Sequence, residues 1–278
     1  MAGNHRDGGT GKPVELTIEQ LRARQLRLLR AVADHCETHG LRYYLCAGTL
    51  LGAVRHGGYI PWDDDIDLML PRRDFEKLCS SFPNSAAPEG VSLRSLTSSP
   101  THVLPFAKVC DDRTRLEVES EIIKGLGVAI DVFPLDGWSD RRVVRTFQRV
   151  ALKALPQVMR VKHVVLGRRR TVLRNALIAV AKGVLSVIPT RWVAASLEKV
   201  ARVGDFDACT HGGVIVWGYQ ESVPVAAYGV PGQLTFEERS YDVPQDTETV
   251  LRILYGDYMR LPPVEQQVTL HRFVAYEL

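Results

Sequence analysis

Six consecutive residues, Trp62-Asp63-Asp64-Asp65-Ile66-Asp67, narrow what this chain can become more than any other segment of its 278 residues. They run into Leu68-Met69-Leu70 and stop at Pro71, an alternating strand pattern ended by a residue that cannot donate to a ladder. Strand side chains alternate in direction, so Asp65 and Asp67 are expected on one face while Ile66 and Leu68 turn into a core. Two carboxylates on one face repel each other unless a cation lies between them. Carboxylate oxygens are hard ligands that suit Mg²⁺, with Mn²⁺ as its substitute, and Mg²⁺ completes its shell from waters and substrate phosphates. The plain alternative is that these aspartates cap a loop or lie in solvated turns. That fits Asp63 and Asp64 but explains poorly two acids alternating with apolar residues.

A third acid has a similar setting. Asp131 lies between Ile130 and Val132 in the strand candidate Val128 to Phe133, closed by Pro134. A carboxylate there is costly to bury as an anion without a partner. Placed beside Asp65 and Asp67 it would share their metal or accept a proton from an attacking hydroxyl. Upstream, Gly48-Thr49 follows the strand-like run Leu41 to Ala47 and opens a short helix. Glycine lets a backbone approach phosphate closely, and free N–H groups at a helix start favour an anion. By itself Gly-Thr is a common structural turn, so this reading depends on the acids downstream.

The rest of the chain supplies scaffolding signals. Thr17-Ile18-Glu19-Gln20 has the form of a capping box, Leu21, Leu28, Leu29, Val32 and Cys36 recur at helical spacing, and Gly40 ends the run. Asp74 to Ser81 reads as a helix, Ser85 to Pro100 as loop with one short strand, and Val250, Leu251 and Leu254 as a helix stopped by Gly256. From Arg141 to Val203 the pattern is helical, interrupted at Pro156, Gly167 and Pro189. Its most apolar run, Ala176 to Ile188, is shorter than the roughly 20 residues of a membrane span.

Charge is distributed unevenly. Residues 141–204 hold 15 Lys/Arg and one acid, Glu198, a net +14, which leaves −11 for the remainder of a chain that totals +3. Such a block calls for an anionic neighbour: a phosphate-rich substrate, an anionic polymer or a membrane surface. Five cysteines without a Cys-x-x-Cys pair indicate neither a disulfide framework nor a cysteine zinc site and favour a reducing compartment. Residues 1–13 are polar and glycine-rich, lack the apolar core of a signal peptide, and read as a disordered tail.

Ala47-Gly48-Thr49-Leu50-Leu51-Gly52-Ala53-Val54-Arg55-His56 followed by Gly58-Tyr59-Ile60-Pro61-Trp62-Asp63-Asp64-Asp65-Ile66-Asp67 closely resembles the signature of the LicD family, the phosphocholine transferases and related fukutin-type ribitol-phosphate transferases. The similarity continues through Pro71-Arg72, Phe106-Ala107-Lys108, Ile130 to Gly137, Tyr255 to Met259 and Pro262-Pro263, over roughly residues 16–140 and 236–271. Residues 141–204 match no motif. The resemblance implies an α+β nucleotidyltransferase fold, a short mixed sheet flanked by helices. The expected organisation is a core over 14–140, a basic helical insertion over 141–204, and a C-terminal part, 205–278, that completes the core. It implies Asp65 and Asp67 as the metal pair, Asp131 as the third carboxylate, and Gly48-Thr49 as the phosphate-side turn.

The implied reaction moves a phospho-alcohol, phosphocholine above all, from a CDP-activated donor such as CDP-choline to a sugar hydroxyl of a glycan or lipid-linked glycan precursor, with CMP leaving. Arg55 and Lys108, and less directly Arg72, are candidates to hold phosphate oxygens, the alternative being ordinary surface charge. Tyr59, Trp62 and Trp138 are candidates for a quaternary-ammonium pocket, with simple core packing as the alternative for each. His56 reads as a structural or exposed loop residue, and Asp136 as a turn cap beside Gly137. The expected location is cytoplasmic, with peripheral membrane contact through 141–204, and no nucleic-acid partner is expected. Two other functions use the same residues: nucleotidyl transfer from an NTP to a small molecule, which would release pyrophosphate, and non-catalytic binding of an anionic membrane or polymer through the basic block.

Overall fold

Thr17 starts the first helix as its spacing to Gln20 predicts. Its hydroxyl accepts the Gln20 amide, Gln20 returns the bond to the Thr17 amide, and Gly40 ends the helix in the left-handed region at φ 62°. The computed structural model describes residues 14–85, 87–118, 125–164, 171–216, 221–269 and 273–278. The tail expected over 1–13 and the break expected at Gly167 lie outside these residues.

In chain order the elements are β1 (Val14–Glu15), α1 (Ile18–His39), β2 (Tyr44–Leu45), α2 (Ala47–His56), β3 (Asp67–Pro71), α3 (Arg72–Ser81), β4 (Val91–Arg94), β5 (Ala107–Asp111), β6 (Thr114–Val118), β7 (Ala129–Trp138), α4 (Arg142–His163), α5 (Val172–Ser186), α6 (Thr190–Ala201), β8 (His211–Gly213), β9 (Val223–Pro224), β10 (Gly232–Phe236), β11 (Arg239–Val243), α7 (Thr247–Tyr255) and β12 (Phe273–Glu277). The architecture is α+β, as expected.

The central sheet has the order β2-β3-β7-β5-β4, and β8 joins the far half of β7 and carries β9. β3 and β7 run parallel, while the other pairings are antiparallel. α1 packs on β5 and β7, α2 on β3, and α3 on β3 and β7. The apolar positions of α1 (Leu28, Leu29, Val32, Cys36) join Ile66, Leu68, Ile130 and Val132 in one buried core. Two smaller structures complete the chain: a hairpin of β10 and β11, and a three-stranded sheet in which β12 lies between β1 and β6.

β7 departs from the sequence reading. Pro134 does not close it, and the strand continues to Trp138. The reason is local. Asp131 donates its amide to Ile66 on the β3 side, so the even-numbered residues of β7 face β5, and β5 ends at the pairing of Ala107 with Val132. Pro134 therefore falls where no ladder partner needs an N–H. Pro156 likewise lies inside α4, buried, instead of breaking it. Beyond β7, helices α4, α5 and α6 form the block that the sequence marked as basic and helical.

Buried ionic contacts tie this block to the sheet. Arg72 donates to both carboxylate oxygens of the fully buried Asp136, from Nε at 2.8 Å and Nη2 at 2.6 Å, and its Nη1 lies 3.6 Å from Glu198 on α6. Asp136 is thus a buried strand residue and not a turn cap, and Arg72 braces α3, β7 and α6 instead of lying open to a phosphate. Arg191, also on α6, donates to the carbonyls of Leu96, Ser99 and His102 and so fastens the loop before β5.

Candidate active site

The acidic segment is held from behind by α1. Arg22 Nη2 donates to the carbonyls of Ile60, Pro61 and Asp63, the last at 2.6 Å, and Gln25 donates to the Asp64 carbonyl at 2.8 Å. Asp64 is buried and accepts a hydrogen bond from the Thr269 hydroxyl at 2.6 Å. Asp63, Asp64 and Asp65 can each place a carboxylate oxygen within 4.8 Å of the others. The regular strand begins only at Asp67, so Asp65 belongs to the segment before it. The alternation nevertheless holds: Ile66 and Leu68 are fully buried, whereas Asp65 and Asp67 keep partial exposure.

Parallel pairing then brings the third acid alongside. Asp67 and Asp131 are register partners across β3 and β7, and Lys108 is the register partner of Asp131 across β5 and β7. Lys108 Nζ forms a close ion pair with Asp131 Oδ1. Burial acts against the Lys108 charge, but the adjacent carboxylate outweighs it and holds the ammonium above its usual range. Asp67 moves the other way for a carboxyl. Burial first, then repulsion from Asp65 and Asp131, pushes it well above the ordinary carboxylate range. Several acids thus converge on one lysine, an excess of negative charge that a hard divalent cation fits.

Asp67 is fixed through its backbone. Its amide donates to the Thr49 hydroxyl at 2.9 Å, and its carbonyl accepts from the Cys46 amide at 3.0 Å. Thr49 is buried, so it works on Asp67 from inside the fold. Gly48 packs against an acid as well: a Cβ there would lie 2.7 Å from Asp63 Oδ2. The two residues read as a phosphate turn therefore position the acidic cluster in this structure. The amino end of α2 itself starts with Ala47 in the left-handed region, φ 45°, which is uncommon for a residue with a side chain.

Cys46 and Ala47 open onto a cavity of about 560 Å³, lined also by Phe133, Val214, Glu221, Ser222, Leu254 and Tyr255. Asp67 and Glu221 are both close enough to Tyr255 to act on its phenol electrostatically, so the cavity adjoins the acids. Glu221 accepts a hydrogen bond from the Val214 amide at 2.8 Å, and burial raises its carboxyl to about 7. Sequence reading did not find Glu221, which lies in no periodic segment and next to no motif.

Other expected residues lie elsewhere. Tyr59 is buried under Arg22 with its hydroxyl on Gln25, at 3.0 Å, and Trp138 is wholly buried with its indole N–H on the Glu221 carbonyl. Neither lines the cavity, so the ammonium-pocket expectation is corrected for both. Trp62 is half-buried, edge-on to the exposed His56 at 6.4 Å, and also outside the lining. Arg55 donates to the Tyr258 carbonyl at 3.0 Å, which joins α2 to the segment after α7.

Comparison with known proteins follows the same residues. Residues 40–124 match the family model described as LicD/FKTN/FKRP, nucleotidyltransferase domain. The chain is 26% identical over 274 residues to the lipopolysaccharide cholinephosphotransferase LicD of Haemophilus influenzae, covering 95% of this chain and 99% of that protein. It is 53% identical over 47 residues to ribitol 5-phosphate transferase FKRP of Mus musculus and of Homo sapiens, a stretch that is 16% of this chain and 10% of theirs. Residues 40–124 are thus similar to the LicD-type nucleotidyltransferase domain, and the likeness to a LicD protein extends over nearly the whole chain.

Proposed function

We propose that this protein is a phosphotransferase of the LicD type, which moves a phospho-alcohol from a CDP-activated donor to a sugar hydroxyl of a cell-surface glycan precursor. The observation that carries this reading is the parallel register that sets Asp67 beside Asp131, with Asp65 two residues before Asp67 and Lys108 opposite Asp131. Asp65, Asp67 and Asp131 would hold Mg²⁺, or Mn²⁺ in its place. When bound, the cation neutralises the donor diphosphate and the departing phosphate. Thr49 and Arg22 keep the acids in place, and Lys108 keeps the Asp131 carboxylate oriented. The start of α2, beside the cavity, offers free backbone N–H groups to a donor phosphate.

Phosphocholine is the favoured cargo. A quaternary ammonium is recognised by aromatic faces and an anion, and Phe133, Tyr255 and Glu221 meet that need in the cavity adjoining Asp67. A glycan or lipid-linked glycan on the cytoplasmic side would be the acceptor.

The test is incubation with Mg²⁺ and CDP-choline, CDP-ribitol or CDP-glycerol, with CMP release measured in the presence of candidate acceptors. CMP release is expected with CDP-choline, and Asp67→Asn and Asp65→Asn should abolish it without unfolding the protein. Near-normal turnover in either variant defeats the metal assignment. Pyrophosphate release from an NTP would turn the reading to nucleotidyl transfer.

A further inference from the structure

Helix α5 presents its apolar row to solvent. Leu173, Leu177, Val180 and Val184 follow one another at spacings of four, three and four residues, which places them on one face, and they are 64–71% exposed. Val187, just past the helix, is 81% exposed. The inward side of α5 carries half-buried Asn175, Ile178, Ala181, Lys182 and Leu185, with Lys182 donating to the Val164 carbonyl, so the helix is apolar on both sides. An ordinary surface helix turns a polar face to solvent.

The helix packed against it repeats the pattern and adds charge. On α4, Gln148, Leu152, Pro156 and Met159 face the core. On the opposite side lie Val143, Phe147 and Val150, exposed by 60–84%. Between these two faces, Arg142, Arg149, Lys153 and Arg160 recur at spacings of seven, four and seven, which places them in one exposed row flanking the apolar one. Within the block Lys162, Lys182, Arg191 and Arg202 bind carbonyls or Glu76 of this chain, but this α4 row is not held by any acid in an ion pair of the described structure.

Length decides how such helices meet a bilayer. Among the described residues no single helix is long and apolar enough to cross a membrane, and α5 and α6 satisfy the requirement only together, across an 80° bend. A helix of 15 residues reaches about 22 Å, less than the roughly 30 Å of a hydrocarbon core. Apolar outer rows with a cationic row beside them match an interface whose surface is anionic and whose interior is apolar.

We infer that α4 and α5 lie on an anionic lipid bilayer, with Leu173, Leu177, Val180 and Val184 of α5 and Val143, Phe147 and Val150 of α4 entering its outer layer and Arg142, Lys153 and Arg160 contacting lipid phosphates. A second copy of this chain is a poorer occupant, because apposed copies would bring together blocks of net +14.

Co-sedimentation of the full chain with phosphatidylcholine vesicles, with and without phosphatidylglycerol, tests this without reference to catalysis. Binding is expected only to the phosphatidylglycerol vesicles and should fall steeply as salt is raised. Arg142→Gln and Lys153→Gln should each weaken partitioning roughly fivefold, the effect of one cation near an anionic surface. Leu177→Glu combined with Val184→Glu should abolish binding with an unchanged circular dichroism spectrum, because both positions are exposed. Equal binding to both vesicle types, or salt-independent binding, overturns the inference. So does failure to sediment by a protein that elutes as a dimer and becomes a monomer on Leu177→Glu with Val184→Glu.

Discussion

Thr49 and Glu221 show how differently single residues act around one site. Thr49 is buried and is not among the residues that line the cavity beside Cys46. Its hydroxyl accepts the Asp67 amide, so Thr49→Val keeps the shape, leaves a buried donor without an acceptor, and should destabilise by about 1–3 kcal/mol. Thr49→Ser should restore most of that in urea unfolding. Glu221 lines the cavity and, in the proposed function, faces the cargo. Binding of a quaternary ammonium favours the charged carboxylate, so the KM for CDP-choline should rise as pH falls below about 7, where Glu221 takes up its proton. Glu221→Gln should raise that KM and flatten its pH dependence while leaving the KM for CDP-glycerol unchanged. Equal effects on both donors would remove Glu221 from the cargo pocket. Asp131 was legible in the sequence because an acid between Ile130 and Val132 needs a reason. Glu221 was not, because its meaning comes from Val214, Phe133 and Tyr255, which only the tertiary fold brings near.

At the level of elements, β7 joins the acidic cluster to the helical block. Arg72 and Asp136 are a buried pair, and breaking it leaves one charge without its partner. Asp136→Asn should therefore cost about 3–5 kcal/mol, and Arg72→Leu with Asp136→Leu should recover much of it, both read from denaturant midpoints. Helices were mostly legible, since α1, α3 and α7 follow apolar spacing, and α1 and α7 end at the glycines Gly40 and Gly256. Strands were less so. β2 is two residues long where seven looked strand-like, because it pairs only with the start of β3. The β10–β11 hairpin was missed since its turn has Glu237-Glu238 in place of the usual glycine or asparagine, with Glu237 itself at φ 56°. That glutamate is retained by the fold: its carboxylate accepts the Tyr59 amide at 2.9 Å and rests where any side chain on Gly58 would lie.

For the whole molecule, one contribution to acid stability comes from a buried histidine that packs onto the Phe106-Ala107-Lys108 segment. His102 is fully buried, with one ring nitrogen on the Phe106 carbonyl, and burial foremost lowers its pKa to about 4. The unfolded chain takes up this proton near its ordinary value and the folded chain resists it. The stability it contributes is complete above about pH 6.5 and is lost as pH falls toward 4, by about 2–3 kcal/mol. Urea midpoints at pH 7 and 4.5 should show this loss, and His102→Gln should reduce it even if less stable at pH 7. The fold class was readable through the family resemblance that the acidic segment and its neighbours carry, while the acids themselves pointed only to a strand. The exposed apolar row of α5 was not, since periodicity does not say which apolar positions of a helix the protein leaves outside.

Asp131 and Asp136 stand five residues apart on β7, about 17 Å of continuous strand. One anchors the acidic cluster, and the other anchors, through Arg72 and Glu198, the helices beyond it. No loop interrupts the strand between them, so it behaves as a beam and not as a hinge. A substrate tethered to whatever those helices rest on would meet the carboxylates at a set height, and a tether shorter than that height would not be reached.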